Sequence, residues 1–287
     1  MNSYQSLLDT AMAAARAAGE LQRRHFHRPL RVTATMPYDI KLELDVQSQR
    51  IIERAILRRF PGHEILGEEG NRPAAGGKSK TRNPKSKIRW VIDPIDGTVN
   101  YFYNIPVFCV SIAAQEYRGA RTVLGASTLN PQPSTLNDSE WRTVAGVIYD
   151  PMRDEMFYTA LGQPTRLNGR VVHASKRRRL ADTICTVAFF KDKETIRRGQ
   201  AVFHALLPRV RKMRLLGAAA LDLAYVACGR FDAYVEFGVK LWDIAAGLLL
   251  VENAGGKTLV RPTKEEHGYA LLSMSGAIPS LPRIVKW

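Results

Sequence analysis

The chain has 287 residues, 45% hydrophobic and 24% charged, enough for one large globular unit or two closely packed ones. Three widely spaced cysteines (Cys109, Cys185, Cys228) exclude a zinc spacing and a disulfide framework and fit reduced core thiols, as in a cytoplasmic protein. The formal net charge of +15 favours anionic partners, whether phosphorylated metabolites, RNA or acidic lipid.

At the N-terminus, Met1-Asn2-Ser3-Tyr4 lacks the basic-then-apolar pattern of a secretory leader. Residues 4–26 place Leu7, Leu8, Ala11, Met12, Ala15 and Ala18 at helical spacing, which predicts an amphipathic helix. A second helix is expected over 45–59, with Asp45 as its cap and Pro61-Gly62 as its stop. His63-Glu64-Ile65-Leu66 reads as a short strand running into Gly67-Glu68-Glu69-Gly70. The basic, apolar-free segment 78–87 and the run Lys176-Arg177-Arg178-Arg179 read as solvated surface, since neither interleaves aromatic residues as a nucleic-acid platform would.

Trp90-Val91-Ile92 is a buried strand that ends abruptly in Asp93-Pro94-Ile95-Asp96-Gly97-Thr98. Strands follow over 107–114 and 144–149, separated by an irregular, Pro/Ser/Thr/Asn-rich stretch over 128–141. Beyond Asp150-Pro151, residues 155–160 form another strand, and Asn168-Gly169 before Val171-Val172 is a hairpin signal. A small-residue helix over 217–228, a strand over 231–237 and a helix led by Trp242-Asp243 and ended by Gly255-Gly256 complete the chain. The apolar run 244–251 is too short to span a membrane and contains Gly247, so no membrane partner is expected. Mixed strands and helices without a repeat predict a layered α/β or α+β fold. The internal boundary is expected near 150, giving halves 1–150 and 151–287.

Three acidic groups share one placement: Glu68-Glu69, Asp93 with Asp96, and Asp243 each follow an apolar strand-like run. Singly each has a local explanation, as a solvated turn, as Asp-Pro and Asp-Gly turn formers, or as a helix cap. Together they describe carboxylates drawn from distant parts of the chain, the donor set for hard cations such as Mg2+ that also bind substrate phosphate oxygens. Gly97 and Thr98 add backbone N–H groups and a hydroxyl suited to an anion.

Gly67-Glu68-Glu69, the stretch 90–100, Gly217-Ala218-Ala219-Ala220-Leu221-Asp222-Leu223, Asp232-Ala233-Tyr234-Val235-Glu236 and Leu241-Trp242-Asp243 through Gly255-Gly256 resemble, in order, the motifs of the inositol monophosphatase family. The resemblance implies an α-β-α-β-α sandwich, Mg2+-dependent hydrolysis of phosphate monoesters, two or three Mg2+ per subunit, lithium sensitivity and a homodimer. By that likeness Glu68, Asp93 and the Ile95 carbonyl would hold one metal, and Asp93, Asp96 and Asp243 a second. Thr98, with Asp45 or Glu68, would orient the attacking water. Gly97 and Thr98 would hold phosphate, Glu236, Asp96, Asp243 and Ala219 would contact the alcohol, and Glu69 would stand behind the ligands. The favoured substrate is myo-inositol 1-phosphate. Alternatives are fructose 1,6-bisphosphate, histidinol phosphate, adenosine bisphosphate or NADP. An RNA-binding module on the same fold ranks below these, and a non-catalytic scaffold last, because the ligand set is complete. The pattern departs from the family where Ala34 replaces a common Lys, where 39–45 replaces a polar, Thr-containing run tied in relatives to a mobile flap and a third, weaker metal site, and at Asn100-Tyr101-Phe102-Tyr103-Asn104 on the pocket rim.

Overall fold

The computed structural model describes residues 4–36, 39–72, 86–119, 140–189 and 192–286. The chain opens with α1 (Gln5–His25), a hairpin of β1 (Val32–Met36) and β2 (Asp39–Leu42), and α2 (Glu43–Arg59). Next come β3 (Glu64–Gly67), β4 (Gly70–Arg72), β5 (Ile88–Asp96) and the short α3 (Thr98–Phe102). Then β6 (Cys109–Tyr117), β7 (Trp141–Asp150), β8 (Glu155–Ala160), β9 (Arg166–Leu167) and β10 (Arg170–Val171) follow. The remainder is β11 (Ile184–Phe189), α4 (Lys193–Leu206), β12 (Lys212–Arg214), α5 (Ala219–Ala227), β13 (Ala233–Lys240), α6 (Leu241–Asn253), β14 (Lys257–Pro262), β15 (Gly268–Met274) and α7 (Leu281–Ile284).

These elements stack as the expected α-β-α-β-α sandwich. α1 and α2 pack Leu8, Ala11, Ala15, Ile52 and Ile56 on one face of an eight-stranded sheet ordered β10-β9-β8-β7-β6-β5-β3-β4. α5 and α6 fill the space between its other face and a five-stranded sheet ordered β12-β11-β13-β15-β14. α4 and α7 cover the far side of that second sheet through Val202, Leu206 and Leu281. Because α6 lies between two sheets, it is apolar all round, with Ile244 through Val251 buried. Among the described residues no helix is long and apolar enough to cross a membrane.

Several boundaries differ from the sequence reading. α2 begins at Glu43, so Asp45 lies in its first turn, where its Oδ2 accepts the Leu42 N–H at 2.6 Å. Asp243 occupies the same position in α6 and accepts the Lys240 N–H at 2.9 Å. Both aspartates therefore brace a helix start from inside it. Trp141 is not part of an irregular excursion; it is the buried first residue of β7, stacked under the Arg89 guanidinium. Residues 78–85 of the basic segment and 128–139 of the excursion lie outside the described residues. The Asn168-Gly169 hairpin forms with positive φ at both positions, 46° and 85°, the signature of its turn type. The eight-stranded sheet takes in β8 to β10, beyond residue 150, so the change of sheet falls between Val171 and Ile184.

Candidate active site

Asp93 and Asp96 are three residues apart, and in a regular strand they would point to opposite faces of the sheet. The β5–β6 ladder prevents this. Asp93 pairs with Ser111 and Asp96 with Cys109, so Pro94 and Ile95 together oppose Val110 as a bulge. Pro94 has no N–H to lose there, and its carbonyl is held by the buried Gln22 amide of α1 at 2.8 Å. Both carboxylates consequently face the inter-sheet layer. β3 runs parallel beside β5, and the Glu68 N–H bonds the Ile92 carbonyl at 3.1 Å, which sets Glu68 next to Asp93. From the other side, the Ser111 hydroxyl donates to the Trp242 carbonyl at 3.1 Å and fixes the first turn of α6, with Asp243, against β6.

Glu68, Asp93, Ile95, Asp96, Gly97, Thr98, Ala219, Glu236 and Asp243 line one cavity of ≈ 510 Å³. Among its described lining residues there is no basic side chain. Asp45 stands just behind it, 3.4 Å from the Thr98 hydroxyl, which donates to the Ile95 carbonyl at 2.8 Å. Gly97 has φ 94°, and a Cβ there would come within 2.9 Å of the Val107 carbonyl and 3.3 Å of Ala218, so the turn admits only glycine.

Burial and like charge dominate the electrostatics. Burial lifts Asp93 well above the ordinary carboxylate range, and Glu68, Asp96 and Asp243 lift it further. Asp243 is likewise raised by burial and then by Asp96 and Glu68. Burial takes Asp96 up to about 6, against the pull of the Ala220 and Ala219 N–H groups. Asp45 is pushed up to about 8, chiefly by burial, with Glu68 and Glu69 adding to the effect. Asp93 lies within hydrogen-bonding reach of the carboxyls of both Glu68 and Asp243, a contact that two ionised acids sustain only through a shared proton or a cation.

That donor set fits Mg2+: hard oxygen ligands, mutually repelling, in a cavity whose described lining carries no basic side chain. Among the described residues no three or more of His, Cys, Asp and Glu already have their oxygens arranged to hold an ion, so binding would need the carboxylates to turn.

Each acid also has structural duties. Asp93 Oδ1 accepts the Ile95 N–H at 3.0 Å. Asp96 accepts the Ala219 and Ala220 N–H groups at 3.1 and 2.7 Å and the Cys109 thiol at 3.6 Å, so it caps α5. Ala219 therefore meets Asp96 through its N–H, which the sequence reading had not assigned. Glu236 reaches the cavity from β13 and is held by the Tyr234 hydroxyl.

Sequence reasoning missed the roles of three residues. Asp222 lines the cavity floor, is 1% exposed and has no partner on Oδ1. Asn100 bonds the Val107 and Leu216 carbonyls, both at 2.8 Å, and pins the rim segment 215–217. Lys41 donates to both Glu68 and Glu69. An acid inside an apolar helix was a signal for Asp222. Asn100 had been placed on the rim by its motif but without these partners, and nothing local announced Lys41.

The inter-sheet cavity of this five-layer sandwich gathers acids from the β3–β4 turn, β5, α5, β13 and α6. The sequence profile described as the inositol monophosphatase family matches residues 3–131 and 138–285, and the chain belongs to that family. The chain is 36% identical to a protein of Pasteurella multocida named Nus factor SuhB, over 98% of this chain and 93% of that one. A solved inositol monophosphatase from Anabaena superimposes with a TM-score of 0.75 at 32% identity, covering 99% and 96% of the two chains. The extragenic suppressor protein suhB of Bartonella henselae gives 0.78 at 29% identity, covering 98% of each.

Proposed function

We propose that this protein is a Mg2+-dependent phosphomonoesterase of small phosphorylated alcohols, with myo-inositol 1-phosphate the favoured substrate, working in the cytoplasm as a homodimer. The observation that carries this reading is the meeting of Glu68, Asp93, Asp96 and Asp243 in one cavity bounded by Gly97 and Thr98. Glu68, Asp93 and the Ile95 carbonyl hold one ion in this reading, and Asp93, Asp96 and Asp243 a second. Bound Mg2+ would supply Lewis acidity, acidifying a water and neutralising phosphate oxygens.

The chain's own groups do the rest. The Thr98 hydroxyl spends its proton on the Ile95 carbonyl, so its lone pairs are left to receive a hydrogen bond from the attacking water. Glu68 takes up the proton that this water gives away, or Asp45 does so by relay: the Thr98 hydroxyl turns from the Ile95 carbonyl to Asp45, 3.4 Å away, passes on its own proton and takes the water's. The Gly97 and Thr98 N–H groups face the phosphate. Glu236, Asp96 and Asp243 receive the hydroxyls of the alcohol. The Ala219 N–H is engaged with Asp96, so in this reading Ala219 meets the alcohol only as part of the cavity wall. The test is a panel of phosphate monoesters with and without Mg2+, run beside Asp93→Asn. Turnover should need Mg2+ and fall in the variant by more than the roughly 100-fold typical of losing an outer-shell metal partner. Metal-independent turnover, or an Asp93→Asn enzyme of full activity, removes the reading.

A second role is supported by the name Nus factor carried by the relatives and by the net charge of +15. It is RNA binding that needs no Mg2+, weakens steeply with salt and is reduced by neutralising Lys78, Lys80, Lys85 and Lys87. Salt-insensitive binding in a filter assay would exclude it.

A further inference from the structure

The hairpin preceding α2 carries a cation into an otherwise acidic site. Lys41 lies in β2, paired across from Ala34 in β1, and its ammonium donates to a carboxylate oxygen of Glu68 and to one of Glu69. The cluster is mostly sheltered, with side-chain exposures of 20% for Lys41 and Glu68 and 10% for Glu69. The backbones of the two acids are anchored independently of the lysine. The Glu68 N–H is held by β5, and the Glu69 N–H donates to the Gln49 side chain at 3.0 Å. Gln49 in turn bonds Glu53 at 2.9 Å and the Gly70 carbonyl at 3.0 Å. The backbone of Glu69 is therefore fixed apart from Glu68, and its carboxylate stays within reach of Lys41, whose four-carbon stem can pivot between the two acids.

We propose that Lys41 is a tethered counter-cation that competes with a divalent ion for Glu68 and retreats to Glu69 when the ion binds. The inference rests on the reading of Glu68 as a metal ligand. A divalent ion approaching Glu68 meets a carboxylate already bonded to an ammonium, and must displace it. Glu69 keeps the displaced ammonium paired, so only one of its two contacts is lost. Even after retreating, the ammonium stays close enough to repel the bound ion. Lys41 thus holds the affinity of the Glu68 position down, and it positions Glu68 while that position is empty.

The test is Mn2+ binding by the metal-stripped full-length protein, followed by calorimetry and by the electron paramagnetic resonance of free Mn2+. Lys41→Met keeps most of the aliphatic stem and should tighten the weaker Mn2+ position by about tenfold. Lys41→Arg keeps the charge and should stay within about twofold of the parent. Glu69→Gln removes the retreat position, so it should weaken Mn2+ binding in the parent and much less in the Lys41→Met background. Binding in Lys41→Met equal to or weaker than in the parent overturns the proposal, since a merely supporting lysine would give that result. The underlying site reading fails separately, if Glu68→Gln leaves the Mn2+ isotherm of the parent unchanged.

Discussion

The two sides of the cavity manage negative charge in opposite ways. On the side of Glu68 and Glu69, Lys41 supplies a cation, and although burial works against the ammonium, the two glutamates hold its pKa above the ordinary lysine range. On the side of Asp93, Asp96, Asp243 and Glu236, among the described residues the cavity offers no cation, and burial with mutual repulsion raises every one of these acids. One side is partly balanced within the protein, one ammonium facing two carboxylates, and burial still raises Glu68 against the pull of Lys41. The other is balanced only by protons or by ions from solution. The fold tolerates this because each crowded aspartate also accepts a backbone N–H, which stabilises its charged form and secures a neighbouring turn.

This contrast can be broken experimentally, and after Asp93→Asn the largest effect should come from Asp243→Asn. The amide oxygen can still accept the Lys240 N–H, so the fold should survive while Mg2+-dependent turnover falls by about 100-fold or more. Without metal the same variant should be more stable than the parent, because a buried repelling charge is gone. A lower midpoint in metal-free thermal unfolding would contradict that account.

The next effect is a dependence on pH. Asp96 titrates at about 6 and Asp45 at about 8 in the metal-free fold, both raised from 3.8. A raised acid stabilises the fold fully below its unfolded pKa and ceases to do so as pH climbs through the folded value. Metal-free stability should therefore decline from about pH 4 to about pH 8, and Mg2+ should restore most at the upper end. Thermal melts in chelator that improve with rising pH would sink the charge-crowding account.

The smallest effect belongs to the balanced side. Glu69→Gln leaves Lys41 one of its two partners and should lower metal-free stability by up to about 1 kcal/mol, allowing for partial exposure. An increase comparable to that of Asp243→Asn would mean that the two sides do not differ.

Much of this was legible in the chain. β6 was expected as a strand over 107–114, and the structure shows it buried on both faces. The Asp93–Thr98 motif and Gly67-Glu68-Glu69 pointed to the acids, and the Asn168-Gly169 hairpin was plain from turn chemistry. Helix starts were read less well: Asp45 and Asp243 looked like outside caps but act from within the first turn, a distinction made by backbone geometry rather than residue type. The bulge that puts Asp93 and Asp96 on one face could not be read from spacing, which taken alone predicts opposite faces. The role of Lys41 and the partners of Asn100 were missed because they lie far along the chain, joined only by tertiary pairing.

The bulge also bears on how the central strands find each other. If β5 and β6 zipped together without it, Asp96 would be driven into the greasy layer occupied by Ile92 and Val110, where a bare charge has no company. A misaligned hairpin would thus be penalised at the moment it formed. The residue proposed to bind metal in the finished protein doubles as a proofreader of strand alignment, long before any ion arrives.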